Sequence, residues 1–503
     1  MIAHDLGTSG NKASLFTTEG QYIGSTISEY DTDYFNANWA EQNPQDWWRA
    51  VCETNKLLTR DIDKKDVLAI SFSGQMMGCV CVDKQGRALR KAIIWADMRA
   101  TKQAEQILSK IDQDVFYRTT GHKCSSSYSI EKLMWVRDNE PDIYKQTYKM
   151  LNPKDYIVQR LTGAFLTDFS DASGTNAFDL NTFKWSESII SAAGIDIDKF
   201  PEALPSTHIA GEISESMAAE CGLCPGTKVV MGAGDGMCAS VGAGSISLGK
   251  TYNCLGSSSW IATTTREPIF DDQYRTFNWA HAVPGFVAPC GTMQSAGAAF
   301  NWVKNQICTS EVAEARQKGI SPYELINKEI AEAEIGSNGL IFLPYLMGER
   351  SPRWNPDAKG AFIGLKMEHK RADMLRSVIE GIAYNLNIIL QVFSSKLPID
   401  EITVIGGMAK GEIQRRILAD VFNTRLVTLT YLDEASSIGA AVCAGVAIGV
   451  LKSFSEVEKF NKAVAHDEPI AGNAAHYAKY MPVFDKCYAS LKDVYTDIAA
   501  LDR

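Results

Sequence analysis

The sequence predicts an α/β protein made of two domains on related plans. Three observations carry this. The chain has 503 residues, more than one hydrophobic core accommodates. A strand, a turn of glycine and hydroxyl residues and a second strand occur at the start, and the same layout returns near the middle. Further on, the order strand, Gly-Gly, helix, strand, helix is that of a sheet covered by helices.

In chain order, Ile2–Leu6 is a short apolar strand and Gly7-Thr8-Ser9-Gly10 a turn. Lys12–Thr18 and Tyr22–Glu29 read as strands around Glu19-Gly20. Pro44–Leu58 reads as a helix with proline in its first turn. Val67–Ser73, Gly78–Asp83 and Ile93–Trp95 are expected strands. Ser129–Asp138 is an expected helix whose apolar side is Ile130, Leu133, Met134 and Val136. Lys228–Ala233 is a valine-rich strand ending on Gly234-Asp235-Gly236. The layout then repeats as Thr251–Leu255, Gly256-Ser257-Ser258-Ser259 and Trp260–Thr265. Two copies are too few for a solenoid and fit a duplicated pair of domains facing one another. Helical spacing over Asp373–Phe393, the strand Ile399–Ile405 ending at Gly406-Gly407, the helix Glu412–Phe422, the strand Leu426–Leu429 and a small-residue helix over Ser437–Leu451 complete the second domain. The glycine-rich stretch Gly242–Gly249 is the expected boundary and hinge.

Composition excludes several classes. The 50 basic and 60 acidic residues give a net charge of -10, which speaks against a nucleic-acid surface. The longest apolar run, Ile438–Leu451, is too short to span a bilayer. No signal peptide is visible, so the twelve cysteines are expected to be reduced thiols in a cytoplasmic protein. Neither Cys79-x-Cys81 nor Cys221-x-x-Cys224 has a second ligand pair at zinc spacing.

Chemistry concentrates at four places. In Asp5-Leu6-Gly7-Thr8-Ser9-Gly10-Asn11-Lys12, glycines bring backbone N–H groups close to an anion, hydroxyls donate to phosphate oxygens and Lys12 adds charge. An ordinary β-hairpin turn explains the same residues. Gly256–Ser259 is a second candidate phosphate loop, and two such loops across a cleft could hold adjacent phosphates. Asp235, at the end of a buried strand, is placed to take a proton from a hydroxyl during phosphoryl transfer, with a helix N-cap as the competing account. Finally, Gln75-Met76-Met77 and Trp95-Ala96-Asp97 offer an amide, apolar faces and a carboxylate suited to a polyhydroxyl ligand. Core packing is the competing account of Met76, Met77 and Trp95.

The stretch Ser127-Tyr128-Ser129-Ile130-Glu131-Lys132-Leu133-Met134-Trp135-Val136-Arg137-Asp138-Asn139 resembles the first long pattern of the FGGY carbohydrate kinase family. Gly360–Leu365, continuing through Asp373 to Ser377–Glu380, resembles its second. The likeness is to the xylulokinase branch and runs from Asp5 to Leu451. It implies two actin-like (ribonuclease H-like) ATPase domains, residues 1–245 and 246–503, with the active site in the cleft between them. It implies ATP with Mg²⁺, a small sugar acceptor, Asp235 as base, and Asp5 with Asp235 near the metal. Thr8, Ser9 and Lys12 are then expected by the phosphates, and Gly256, Ser257, Gly297, Asn301, Gly407 and Gly411 by the nucleotide. Gln75, Met76, Met77, Trp95, Asp97 and Ser127 are expected to line the sugar pocket. A homodimer is common in the family. Two positions depart from the xylulokinase pattern: Met77 stands where histidine is usual, and Gly236 where asparagine is frequent. Both changes remove hydrogen-bond partners for hydroxyls, so they bear on which sugar is taken.

The expected reaction is transfer of the γ-phosphoryl group to a terminal hydroxyl of a ketopentose such as D-xylulose, or of another ketose or polyol. A chaperone-type or filament-forming ATPase and a non-catalytic sugar sensor are the rivals on the same fold. The sugar-binding residues speak against the first, and intact Asp5, Asp235 and both loops against the second.

Overall fold

A computed structural model describes residues 1–501. The N-terminal sheet has six strands, in the order Ile209–Glu212, Lys228–Gly234, Ala69–Gly74, Ile2–Leu6, Gly10–Phe16, Tyr22–Glu29. The C-terminal sheet has seven, in the order Phe277–Ala280, Val287–Met293, Ser259–Thr263, Thr251–Leu255, Glu401–Ile405, Arg425–Leu429, Ala463–Asp467. With the edge strands Ile209–Glu212, Phe277–Ala280 and Ala463–Asp467 set aside, both sheets have the order 3-2-1-4-5 within their own half. In each half strands 1 to 3 pair antiparallel, while strands 1, 4 and 5 run parallel. The repeated hairpin therefore marks the start of a repeated domain.

Most element expectations hold within a residue or two, and the deviations have local causes. The second strand begins at Gly10 rather than Lys12, because its register pairs Gly10 with Glu29 and Phe16 with Tyr22. The small-residue helix spans Ala435–Ala447 and stops short of Leu451. There the chain turns out at Gly449, whose φ of 77° is a conformation glycine takes without a Cβ clash. Helix Pro44–Leu58 starts on its proline with Asn43 as N-cap, as the turn chemistry requires. The long helix Arg371–Ser394 buries Leu375, Ile379, Ile382, Leu386 and Ile389 in the core of the second domain.

In both halves a helix of small residues follows the fifth strand: Asp235–Gly242 in the first and Ala435–Ala447 in the second. The two helices cross in contact. A Cβ on Gly242 would lie 1.9 Å from the Ala435 carbonyl oxygen, and one on Gly439 would lie 1.9 Å from that of Cys238. The second helix also rests on the N-terminal strands Ile2–Leu6 and Ala69–Gly74. One apolar cluster consequently contains Ala3, Val230 and Met237 together with Ile405, Ile438 and Val442. All twelve cysteines are free. Among the described residues, no helix is long and apolar enough to cross a membrane.

Candidate active site

The strand Lys228–Gly234 is buried from Val229 onward and carries a bulge between Val230 and Ala233 in its pairing with Ala69–Gly74. Gly232 makes the bulge possible: its φ is 66°, and a Cβ there would meet the Phe72 carbonyl oxygen at 1.8 Å. The bulge sets the direction of the strand end. Gly234 is the N-cap of the next helix and Asp235 its first residue, so the N-cap account of Asp235 is corrected. The Asp235 carboxylate accepts a hydrogen bond from the N–H of its neighbour Gly236 at 2.8 Å, and among the described residues no side-chain donor reaches it. Burial, and then the charge of Asp5, push its pKa up to about 7.

Asp5 is the last residue but one of the strand Ile2–Leu6. It accepts a hydrogen bond from the Ser73 hydroxyl at 2.8 Å, and burial raises its pKa. Gly234 is held from behind, because its N–H donates to the Ser170 hydroxyl at 2.9 Å. Ser170 in turn donates to Asp168 at 2.5 Å. Asp168 belongs to a buried group with Asp155 and Asp171 whose oxygens lie within 4.8 Å of one another. The Lys154 ammonium occupies its centre, at 2.6, 2.8 and 3.1 Å from Asp155, Asp168 and Asp171. That arrangement braces the Asp235 turn and has its cation built in. The sequence reading missed it, since none of these residues forms a recognisable motif.

A cavity of about 180 Å³ opens at Asp235. From the first domain it is lined by Thr8, Met76, Met77, Trp95, Gly236 and Met237. The Trp95 indole N–H donates to the Thr8 hydroxyl at 2.9 Å, which ties the first turn to the cavity wall. The second domain supplies Ser258, Trp260, Phe277, Trp279, Cys290, Thr292 and Arg350. None of those seven was singled out from sequence as a sugar contact, because the wall is shared between distant segments.

Three expected wall residues lie outside it. Gln75 is buried, donating to Gln42 Oε1 at 2.7 Å and to the Gly7 carbonyl at 3.3 Å, and thereby braces the first turn. Asp97 is sealed into a bidentate pair with Arg99, at 2.9 and 2.7 Å, and accepts from the Ala40 N–H. Arg99 in turn lies over the Trp39 ring at 3.9 Å. Ser127 contributes its carbonyl, which takes a hydrogen bond from Lys132 Nζ at 2.5 Å. The same ammonium donates to the Met77 and Ile94 carbonyls, each at 2.8 Å. Lys132 therefore fastens together the three segments that carry Ser127, Met77 and Trp95.

A larger cleft of about 850 Å³ lies in the second domain. All six residues expected there are on its wall: Gly256, Ser257, Gly297, Asn301, Gly407 and Gly411. Phe300, Tyr323 and Met408 add apolar surface, while Asn327 and Gln414 add amides. Gly297 is required by close approach: its N–H donates to the Gly256 carbonyl at 3.0 Å, and a Cβ would sit 2.4 Å from that oxygen. Of the first-loop residues, Thr8 lines the smaller cavity, Ser9 is exposed at the turn, and Lys12 is ion-paired with Glu434 of the second domain. The structure does not place these three on the wall of the larger cleft. The two spaces meet at one turn: Ser257 faces the cleft and Ser258 the cavity beside Asp235.

Family profiles match both halves of this architecture. "FGGY family of carbohydrate kinases, N-terminal domain" covers residues 1–242 and the corresponding C-terminal domain residues 251–448. The chain belongs to the FGGY family of carbohydrate kinases. It is 31% identical over 505 residues to a gluconokinase of Bacillus subtilis, covering 100% of this chain and 98% of that one. It is 32% identical over 507 residues to a xylulose kinase of the same organism, covering 100% and 99%. Among solved structures, ligand-bound xylulose kinase and gluconate kinase from Lactobacillus acidophilus superpose with TM-scores of 0.92 and 0.91, each at 28% identity and 99% coverage of both chains. The duplicated sheets are thus the two actin-like domains of an FGGY sugar kinase.

Proposed function

We propose that this FGGY kinase transfers the γ-phosphoryl group of ATP to a terminal primary hydroxyl of one small sugar held in the 180 Å³ cavity. The observation that carries this is the shared turn Gly256–Ser258, which separates the sugar cavity from the nucleotide cleft right beside Asp235. The acceptor oxygen attacks the γ-phosphorus, and the bond from that phosphorus to the ADP oxygen breaks. The hydroxyl proton passes to the Asp235 carboxylate. Asp235 suits that role because among the described residues its carboxylate has no side-chain hydrogen-bond donor and its pKa is raised to about 7, close to the working pH. Asp5 raises the Asp235 pKa, and both are hard oxygen donors, a set that fits Mg²⁺. Asp5 and Asp235 would hold Mg²⁺ brought with the nucleotide, and the ion would supply neutralisation of charge on the phosphates. Closure about residues 242–249 brings the hairpins together and excludes water from the acceptor.

D-Xylulose is the first acceptor to assay, and D-gluconate the second, since a gluconokinase stands beside the xylulose kinases among the relatives. The decisive measurement is ADP release from ATP across ketopentoses, aldoses, polyols and aldonates, with Asp235→Ala as control. Acceptor-dependent ADP release that disappears in the control is expected; no release with any acceptor overturns the reading.

A further inference from the structure

One charge in the sugar cavity has no role in the proton transfer. Arg350 lines the wall, yet among the described residues its guanidinium makes no ion pair and no hydrogen bond to any carboxylate or carbonyl. Arginine is rarely left so in a partly buried position, where an unpaired charge is costly. The carboxylate beside it in sequence is committed elsewhere. Glu349 accepts from the Gln294 N–H at 2.6 Å, from the Arg350 backbone N–H at 2.9 Å and from Asn385 Nδ2 at 2.9 Å. Burial also pushes the Glu349 pKa up to about 8, which favours its uncharged form at neutral pH.

The groups around the guanidinium offer it no negative charge. The Arg350 guanidinium is within reach of the Tyr128 hydroxyl, a neutral group, while among the described residues both ring nitrogens of His122 are buried without a partner. Their rings lie 4.9 Å apart, and His122 sits 4.3 Å from Trp279 on the cavity wall. Burial and the Arg350 charge lower the His122 pKa to about 3, so the imidazole is neutral. Lys123, with no carboxylate partner of its own, lies 5.3 Å from the Trp354 ring, and the Trp354 N–H donates to the Arg350 carbonyl. Among the described residues Asp235 is the one carboxylate on the cavity wall, and in the kinase reading it serves the hydroxyl to be phosphorylated. Gly236 has open space where a Cβ would stand, leaving room beside it.

We propose that the acceptor is a sugar acid, an aldonate whose carboxylate pairs with the Arg350 guanidinium while its terminal hydroxyl faces Asp235. This deepens the kinase reading and rests on it. The transfer itself is unchanged: the hydroxyl oxygen gains the phosphoryl group, ADP leaves, Asp235 takes the proton, and the carboxylate stays intact. Arg350 is a specificity residue in this arrangement. A guanidinium offers a carboxylate two parallel charge-assisted bonds, and a neutral sugar leaves that charge unpaired.

The test compares matched acceptors of equal carbon number: D-gluconate against D-glucitol, and D-xylonate against xylitol and D-xylulose, by ADP release. In the wild-type protein kcat/KM for an acid is expected to exceed that of its neutral match by about 100-fold or more. Arg350→Met is expected to bring that ratio near unity, and Arg350→Lys to keep part of it. D-Gluconate without ATP is expected to raise the melting temperature of the wild-type protein, and D-glucitol at the same concentration is not. A wild-type enzyme that phosphorylates D-xylulose better than every aldonate overturns the carboxylate proposal while leaving the kinase reading intact. So does an acid-to-neutral ratio that survives Arg350→Met. ADP release with none of the acceptors sinks both.

Discussion

At the scale of single residues, Asp235 joins function to a stability cost. Its carboxyl titrates near 7 in the folded chain, above the ordinary value of 3.8, because of burial and Asp5. A raised carboxyl pKa means the folded state holds its proton more tightly than the unfolded state does. The stabilisation is therefore fully present below pH 3.8 and is lost as pH rises to about 7. Activity runs the other way, since the base must be ionised: kcat/KM is expected to climb through pH 7 and level off above it. A pH–rate profile measured from 5 to 9 checks this, and a flat profile removes Asp235 as the titrating base. Asp235→Asn is expected to lower kcat by roughly 10³-fold. The same variant should melt a few degrees above wild type at pH 8, with the difference gone near pH 4. Asp235 was singled out because a glycine-flanked carboxylate at the end of a buried strand is placed where ligands bind in α/β sheets. Asp97 was misleading for the opposite reason: its partner Arg99 is two residues away, and sequence does not show that the pair closes on itself.

At the scale of elements, the sugar cavity depends on one helix to hold three segments in place. Lys132 is buried on helix Ser129–Asn139 and donates to three backbone carbonyls. Lys132→Met keeps the bulk of the side chain and removes all three bonds. The sugar KM is expected to rise about 10-fold or more with a smaller change in the ATP KM, measured by steady-state kinetics; equal changes in both overturn the clamp. The second hairpin makes a parallel case. Gly297→Val puts a branched side chain where even a Cβ would clash with the Gly256 carbonyl, and is expected to weaken nucleotide binding by about 10-fold or more. Calorimetric titration with ADP checks it. The hairpins were legible from composition and spacing, since Gly, Ser and Thr between two apolar runs have a mechanism as turns. Lys132 was visible only as a member of a family pattern, because a lysine on an otherwise apolar helix face does not reveal which carbonyls will reach it.

For the whole molecule, the two domains join through two crossing helices of small residues and the apolar cluster around them, which draws on both halves. Gly242 and Gly439 let backbones touch, and the second helix covers part of the first domain's sheet. Gly439→Val is expected to cost about 3 kcal/mol of stability or more, since its Cβ would meet the Cys238 carbonyl within 2 Å and a backbone cannot step aside. Chemical denaturation measures this directly, and a loss below 1 kcal/mol would show that the crossing yields. The ion pair between Lys12 and Glu434 also spans the domains, so the lysine read as a phosphate ligand is bound to the opposite half in this structure.

The sequence by itself determined the duplicated α/β plan, the strand and helix order and the two glycine-rich turns, and it singled out Asp235 at the end of a buried strand. Each depends on periodicity, turn chemistry or position along one segment, and such properties are local. Tertiary structure decided what the cavity contains. Arg350, Trp260, Trp279 and Thr292 reach the same space as Met77 and Trp95 only after two sheets have folded and their helices have crossed. It also decided that Arg350 has no carboxylate partner among the described residues while Glu349 beside it is occupied. Charge pairing depends on three-dimensional neighbours, and Arg350, which we propose chooses the substrate, is for that reason a residue the linear sequence did not single out.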